Sequence, residues 1–215
     1  MHWVDRGEEP ARLRQVRKKL TPAWVAYYRG NRSAKPTDAA WRSFQPQLNT
    51  VFRGICGYCE EFDHGQVDHF RPKSKFPALV YRWDNWILAC PFCNSASKRE
   101  LWPRFGYVDP CAKKPHDRPE NHFDFDTKTG ELIPKHGLNG VRFRRVRTMI
   151  EDLQLNAFPH LKTRAQWLLV LEKALQNESP DDPGNRFFIT KLVSRESQLS
   201  SLTRKFLTER GMKFY

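Results

Sequence analysis

No stretch of this sequence reaches eighteen consecutive apolar residues, which excludes a membrane-spanning helix of the ordinary kind. The opening run from Met1 to Glu9 has neither the basic nor the apolar region of a secretory leader, so the expected location is the cytoplasm, where thiols stay reduced. Acids are scarce: 24 Asp and Glu stand against 37 Lys and Arg, a formal charge of +13 with a pI near 9.8. That imbalance favours polyanions, either nucleic acid or an anionic lipid surface. Internal repeats, low-complexity tracts and an obvious linker are missing, as is the Gly-x-x-x-x-Gly-Lys-Ser/Thr loop of an ATP site. Disorder is excluded by what is present. Of 215 residues 39% are hydrophobic, and seven Trp and fifteen Phe concentrate apolar area for a buried core.

Three segments follow from the patterning. Residues 1–54 read as helical. Leu13, Val16 and Leu20 keep a helical period, Thr21-Pro22 predicts the start of a second helix with Trp24, Val25 and Tyr28, and residues 31–36 form a polar loop. Thr37 or Asp38 then caps a stretch through Trp41, Phe44, Leu48 and Phe52, with Pro46 as a break or kink. In residues 55–105 short apolar runs predict strands at Val67–Phe70 and Trp86–Ala89, and a helix between Pro91 and Leu101. Residues 106–215 are loop-rich first, with a hairpin over 124–133. Helices are predicted afterwards near 141–155, 160–176 and 185–210, the second burying Leu161, Ala165, Leu168, Leu169 and Leu175.

Cysteine is sparse but not scattered. Four of the five form the pairs Cys56-Gly-Tyr-Cys59 and Cys90-Pro-Phe-Cys93. Two residues between thiolates let both sulfurs reach one tetrahedral ion. One such pair could equally be a redox motif; two pairs in a reduced chain point to structural Zn2+ held by all four thiolates, with residues 60–89 inserted between the knuckles. Cys111 is left without a partner.

The insert carries Val67-Asp68-His69-Phe70-Arg71-Pro72-Lys73-Ser74 and then Trp83-Asp84-Asn85-Trp86; Asn94 follows the last knuckle directly, with Lys98 four residues on. Singly these are ordinary features, since an Asn behind a cysteine is commonly a helix cap. Together they resemble the HNH, or ββα-metal, endonuclease motif in its zinc-bracketed form. The resemblance implies an α+β fold: a small zinc-bracketed ββα-metal core surrounded by mostly helical N- and C-terminal segments. It also implies roles. Asp68 and Asn94 would hold a catalytic Mg2+ or Mn2+, which oxygen donors suit. His69 would be the general base and Asn85 the side chain that holds the inter-strand loop and orients it. The substrate would be DNA, with Arg71, Lys73, Lys75 and Lys98 as candidates for its flanking phosphates. Of Arg142, Arg144, Arg145 and Arg147, about two could face one duplex. His64, His116, His122, His136 and His160 lack comparable company and are expected to be exposed or locally bonded, His64 and His122 bordering the cleft at most.

Further runs extend the likeness. Arg6-Gly-x-Glu-Pro10, Cys56-x-Tyr-Cys-Glu60, His122-Phe-x-Phe125 and Ile150-x-x-Leu-x-Leu-Asn156 resemble the HNH components of Septu and retron-associated anti-phage systems. There the nuclease works beside an ATPase, which implies such a partner here. The apolar tail between Phe187 and Leu207 would either dock it or pack on the helix before it. Two other readings compete: a catalytically silent zinc module that binds nucleic acid, and a stand-alone restriction-type HNH nuclease, for which no base-reading module is evident.

Overall fold

Leu13, Val16, Leu20, Trp24 and Tyr28 recur every three or four residues. In the computed structural model they line one side of a single helix, α1 (Ala11–Arg29). The predicted restart at Thr21-Pro22 does not occur. Pro22 sits inside the helix on its exposed side, where water can solvate the carbonyl that loses its donor, while Leu13 and Trp24 stay buried on the other. The structure describes residues 1–30, 35–37, 39–176 and 183–212; most of the polar loop expected over 31–36, and the Asp38 cap, lie outside the described residues. A 3-10 turn (Ala40–Phe44) leads into α2 (Gln45–Phe52). Pro46 falls in the first turn of α2 and starts the helix instead of breaking it, because the N–H it lacks would have no partner there.

The centre is an antiparallel hairpin of β1 (Gln66–His69) and β2 (Trp86–Ala89), with Val67 opposite Leu88 and His69 opposite Trp86. Each strand is four residues long, so pairing alone cannot hold it. Three things brace it. Gly57, inside the first knuckle, donates its N–H to Leu88 O at 2.8 Å, and a Cβ there would meet Ile87 and Phe52 at 2.8 Å. Arg6 is buried and gives its Nε–H to Trp86 O at 3.0 Å while pairing with Asp109. Finally, α1 packs on the Pro77–Leu79 turn of the β1–β2 loop.

After β2 the chain turns through the second knuckle into a π-helical segment (Phe92–Lys98), shorter and wider than the helix expected from Pro91 to Leu101. Its turns close five residues apart, as in Arg99 N–H to Asn94 O at 2.8 Å. A second hairpin, β3 (Phe123–Phe125) with β4 (Leu132–Pro134), precedes α3 (Gly140–Asp152) and α4 (Phe158–Gln176). Asn156 clamps it, giving and taking hydrogen bonds of 2.9 Å with the Leu132 backbone. The tail is not one helix but two, α5 (Pro183–Val193) and α6 (Ser200–Glu209). The break is set at Leu199, in the left-handed region at φ 52°, whose N–H reaches Glu60 O at 2.9 Å. Ile189, Val193, Leu199, Leu202, Phe206 and Leu207 are buried in the protein's own core; Phe187 and Phe188 are exposed. The buried apolar cluster runs from Met1 to Leu207 and draws on all three sequence segments, in an α+β arrangement of helices around two small sheets. Among the described residues no helix is long and apolar enough to cross a membrane.

Candidate active site and zinc centre

The two knuckles close on each other. The sulfurs of Cys56, Cys59, Cys90 and Cys93 all lie within 4.8 Å of one another and all four residues are buried. Backbone N–H groups of Tyr58 and Cys93 point at the Cys56 and Cys90 sulfurs, each at 3.4 Å. Hydrogen bonds from the Cys56, Cys59 and Cys93 thiols hold Cys90 well below the ordinary thiol range. Four convergent thiols with amide donors behind them fit Zn2+ and its tetrahedral geometry. Cys111 is buried away from this cluster, and burial pushes its thiol pKa up.

Helix α4 supplies an outer layer that the sequence does not reveal. His160, expected to be exposed or locally bonded, is buried. Its Nδ1–H is donated to Glu61 Oε1 at 2.7 Å, which turns Nε2 toward Cys93 Sγ at 3.8 Å. Arg164 is also buried, in the field of Cys59, Glu61, Glu60 and Cys93; burial pushes its pKa down and those negative groups hold it up. Four thiolates around one Zn2+ would carry a net charge of −2, half of which the guanidinium would offset. His122, expected to be exposed or locally bonded and at most to border the cleft, is buried and does not line it, and burial lowers its pKa, with Arg142 and Arg145 adding to the effect.

Beside this centre lies a cleft of about 290 Å3 whose walls include Asp68, His69, Lys73, Asn94 and Arg99. Asp68 and His69 come from β1, and Asn94 from the first turn after Cys93, so the hairpin and the second knuckle bring the three together. His69 is buried against Trp41 and Trp86, with ring centroids at 5.1 and 6.4 Å; Trp41 in turn rests on Trp24 of α1. Its Nε2 lies 2.9 Å from Val80 O. A carbonyl only accepts, so Nε2 carries the hydrogen and Nδ1 keeps its lone pair. Burial first, and then the Lys73 charge, push the His69 pKa down to about 4, so the ring is neutral at physiological pH and can accept a proton. Asn85 is buried with its amide spent on backbone: it accepts from Arg71 N–H at 2.9 Å and donates to Arg71 O and Leu79 O at 3.1 and 3.2 Å. It thereby fixes both ends of the loop whose Val80 carbonyl holds His69.

Asp68 is buried and gripped from two sides. Tyr58 O–H donates to Oδ2 at 2.5 Å and Lys98 Nζ to Oδ1 at 2.9 Å, with a second Lys98 bond to His69 O at 2.9 Å. Burial, then Asp68, raise the Tyr58 pKa well above its usual value, so the hydroxyl stays a donor. Asn94 spends its amide nitrogen on Gln66 Oε1 at 3.0 Å, keeping its oxygen for another partner. A carboxylate and an amide oxygen on one cleft form a donor set that fits a hard divalent ion.

The basic residues fall differently from expectation. Lys98, expected to touch phosphate, is 0% exposed and its charge is used by Asp68. The helix turns it inward, and exposed Arg99, at φ 47°, lines the cleft instead. Lys73 lines the cleft and pairs with Glu100 at 3.6 Å. Lys75 is exposed and bonds Trp102 O, whereas Arg71 faces a different groove. Removing one partner of a buried ion pair costs about 3–5 kcal/mol. Lys98→Met should therefore lower stability by that order in a urea titration, while Lys75→Ala should stay within about 0.5 kcal/mol. Equal, small effects would show that Lys98 is a surface cation after all.

Residues 56–100 match the HNH endonuclease family. This HNH segment holds the knuckles, the hairpin and the whole set Asp68, His69, Asn85 and Asn94. Over 191 residues the chain is also 24% identical to the Septu protein PtuB of Bacillus thuringiensis, covering 82% of this chain and 65% of that relative, a little under two thirds of its length. The runs outside the HNH segment that resemble such proteins serve the fold. Arg6 braces β2, Phe123 and Phe125 fill the core from β3, and Asn156 clamps β4.

Proposed function

We propose that this chain is a metal-dependent HNH endonuclease that hydrolyses DNA phosphodiester bonds, the effector nuclease of an anti-phage defence system of the Septu or retron-associated kind, acting with an ATPase partner. The observation that carries this reading is the convergence of Asp68, a neutral His69 with its Nδ1 free, and Asn94 on one cleft. Each side chain has a role. His69 takes the proton of the attacking water at Nδ1 while Val80 O steadies the opposite edge. Asp68 and Asn94 hold Mg2+ or Mn2+, and Tyr58 and Lys98 fix the carboxylate. Asn85 keeps the loop, and so the His69 ring, in place. When bound, the ion supplies Lewis-acid polarisation of the phosphate and stabilises the departing oxygen. Lys73 and Arg99 add positive charge where the phosphate enters.

Similarity to a Septu protein along most of the chain supports the defence role and the ATPase partner. Phe187 and Phe188, exposed on α5, give that partner an apolar foothold after the rest of the tail is spent in the core. Five cysteines without a disulfide suit a reducing cytoplasm. The deciding experiment is conversion of supercoiled plasmid to nicked or linear form by the zinc-replete protein, alone and with any ATPase that its genomic neighbours encode, in Mg2+, Mn2+ or Ca2+. Cleavage in Mg2+ or Mn2+ but not Ca2+ is expected. DNA binding without cleavage under all these conditions would leave only the silent zinc module.

A further inference from the structure

We infer that a second groove, outside the catalytic cleft, carries the phosphodiester backbone of the nucleic acid that flanks the cleaved bond; the inference rests on the nuclease reading above. The groove has a volume of about 350 Å3, and its walls include Phe70, Arg71, Trp102, Phe105, Lys114 and Arg145. It shares a wall with the cleft. Asp68, His69, Pro72 and Lys73 line the cleft, and the Phe70-Arg71 pair between them lines the groove. Asn85 holds Arg71 by both its N–H and its carbonyl, so this partition is fixed by a buried side chain and not by a loose loop.

The charge is what identifies the ligand. Some surface cations are matched by acids, as Arg147 is with Glu151, Arg195 with Glu120, Lys205 with Asp124 and Arg210 with Glu172, and others stand scattered without one among the described residues; what sets the groove apart is that its cations are gathered along one concave surface and packed on rings. Around the groove, Arg71, Arg104, Lys113, Lys114, Arg144 and Arg145 have no carboxylate partner among the described residues. Of the two acids in its wall, Asp109 is taken by Arg6 at 3.1 Å, while Asp117 lies at the rim 3.5 Å from His116, an ion pair only when that imidazole is charged. Rings, not acids, hold the guanidinium groups. Arg71 lies over Phe76 and Trp102, each at 5.9 Å, and exposed Phe105 is flanked by Arg104 at 5.6 Å and Arg144 at 5.5 Å, its carbonyl bonded by Arg145. Arginines steadied on aromatic faces lose less freedom on binding and keep their donors for phosphate oxygens. The shape is a groove, not an apolar face that could insert into lipid, so a linear polyanion is the chemistry it fits. Of the dense arginine run on α3, this leaves Arg144 and Arg145 toward the groove, while Arg147 is spent on Glu151.

The test uses the zinc-replete full chain, a labelled duplex oligonucleotide and fluorescence anisotropy across a salt series without added Mg2+. Lys113→Glu with Lys114→Glu alters exposed residues that belong to neither the cleft nor the zinc centre. Every phosphate that a lysine no longer neutralises should reduce the slope of log K against log salt by about 0.9, and affinity near physiological salt should fall by about ten-fold. The alanine pair is the second variant, expected to give a smaller loss that fades as salt rises. Hydrolysis of bis(p-nitrophenyl) phosphate, too small to reach the groove, should not change, while plasmid cleavage should slow. Unchanged affinity and slope in both variants would overturn the groove, as would an alanine-pair loss that persists at high salt. If the parent hydrolyses neither substrate but the variants still bind DNA more weakly, the groove stands and the nuclease reading falls.

Discussion

Stripping zinc from the purified chain should unfold its centre, not merely silence it. The hairpin that carries the cleft has two strands of four residues, and β1 is followed by a long loop, so neither pairing nor local propensity makes it stable alone. Its integrity depends on the first knuckle being held against β2 through the Gly57–Leu88 bond and on the second knuckle leading directly into the π-helical segment. A structural zinc contributes about 10–16 kcal/mol of apparent binding free energy, as much as the whole stability of a typical domain at about 5–15 kcal/mol. Elemental analysis should find one zinc per chain. After chelation the cooperative thermal transition should be lost, and adding Zn2+ back should restore it. Cys93→Ser should fail in the same way, whereas Cys111→Ser, outside the cluster, should still melt cooperatively. His160→Ala should keep the fold but release zinc to a competing chelator about 10–100-fold more readily, the usual effect of losing an outer partner of a ligand. A metal-free chain that melts like the zinc-loaded one would sink the structural role of the site.

How far the sequence reveals this arrangement depends on how local each signal is. The strands, the paired knuckles and the motif between them lie within 45 residues and are readable to within a residue or so, since thiolate spacing and period-two patterning are short-range. The inner face of α4 is not. Hydrophobic periodicity places Leu161, Ala165, Leu168, Leu169 and Leu175 inward; Leu168 is buried and Leu175 packs on the core, but Ala165 and Leu169 are exposed and the buried stripe is completed by His160, Arg164 and Leu171. That stripe is polar at one end because it meets a cluster of sulfur and carboxylate from a segment a hundred residues earlier, and no local pattern reports it. Lys98 misleads for a related reason. A lysine beside a nuclease motif reads as a phosphate contact, and only its position on the wide turn, facing Asp68, makes it a buried counter-charge. Pro22 and the tail show packing overriding punctuation in both directions: α1 continues through a proline because Leu13 and Trp24 share a buried face, and α5 and α6 separate without one because Leu199 is anchored to Glu60.

His69→Ala should abolish cleavage while leaving DNA binding and zinc content unchanged. The proton acceptor is defined by elimination. Val80 O takes the Nε2 hydrogen, so Nδ1 is the nitrogen with a lone pair, and a pKa near 4 keeps it free of a proton across the physiological range. No second histidine is available to substitute: among the residues lining the cleft, His69 is the only imidazole, and the Trp41 indole nitrogen has no lone pair to offer. Loss of a general base costs about 10²–10⁴-fold in rate. The Trp41 and Trp86 rings that pack on His69 will feel the truncation, so a thermal melt of the variant must accompany the rate measurement, and His69→Gln, closer in volume, should be equally inactive but better folded. Asp68 needs a gentler change. Asp68→Ala would strand the buried Lys98 ammonium, so Asp68→Asn, whose oxygen can still accept from Lys98 while its amide donates to the Tyr58 hydroxyl, is the variant that reports on metal. It should lose activity through metal affinity and recover part of it when Mn2+ is raised, as should Asn94→Ala, whereas no concentration of metal should rescue His69→Ala. If His69→Ala or His69→Gln cleaves plasmid at the parental rate in matched metal, His69 is not the base, and the proton leaves the water by another route.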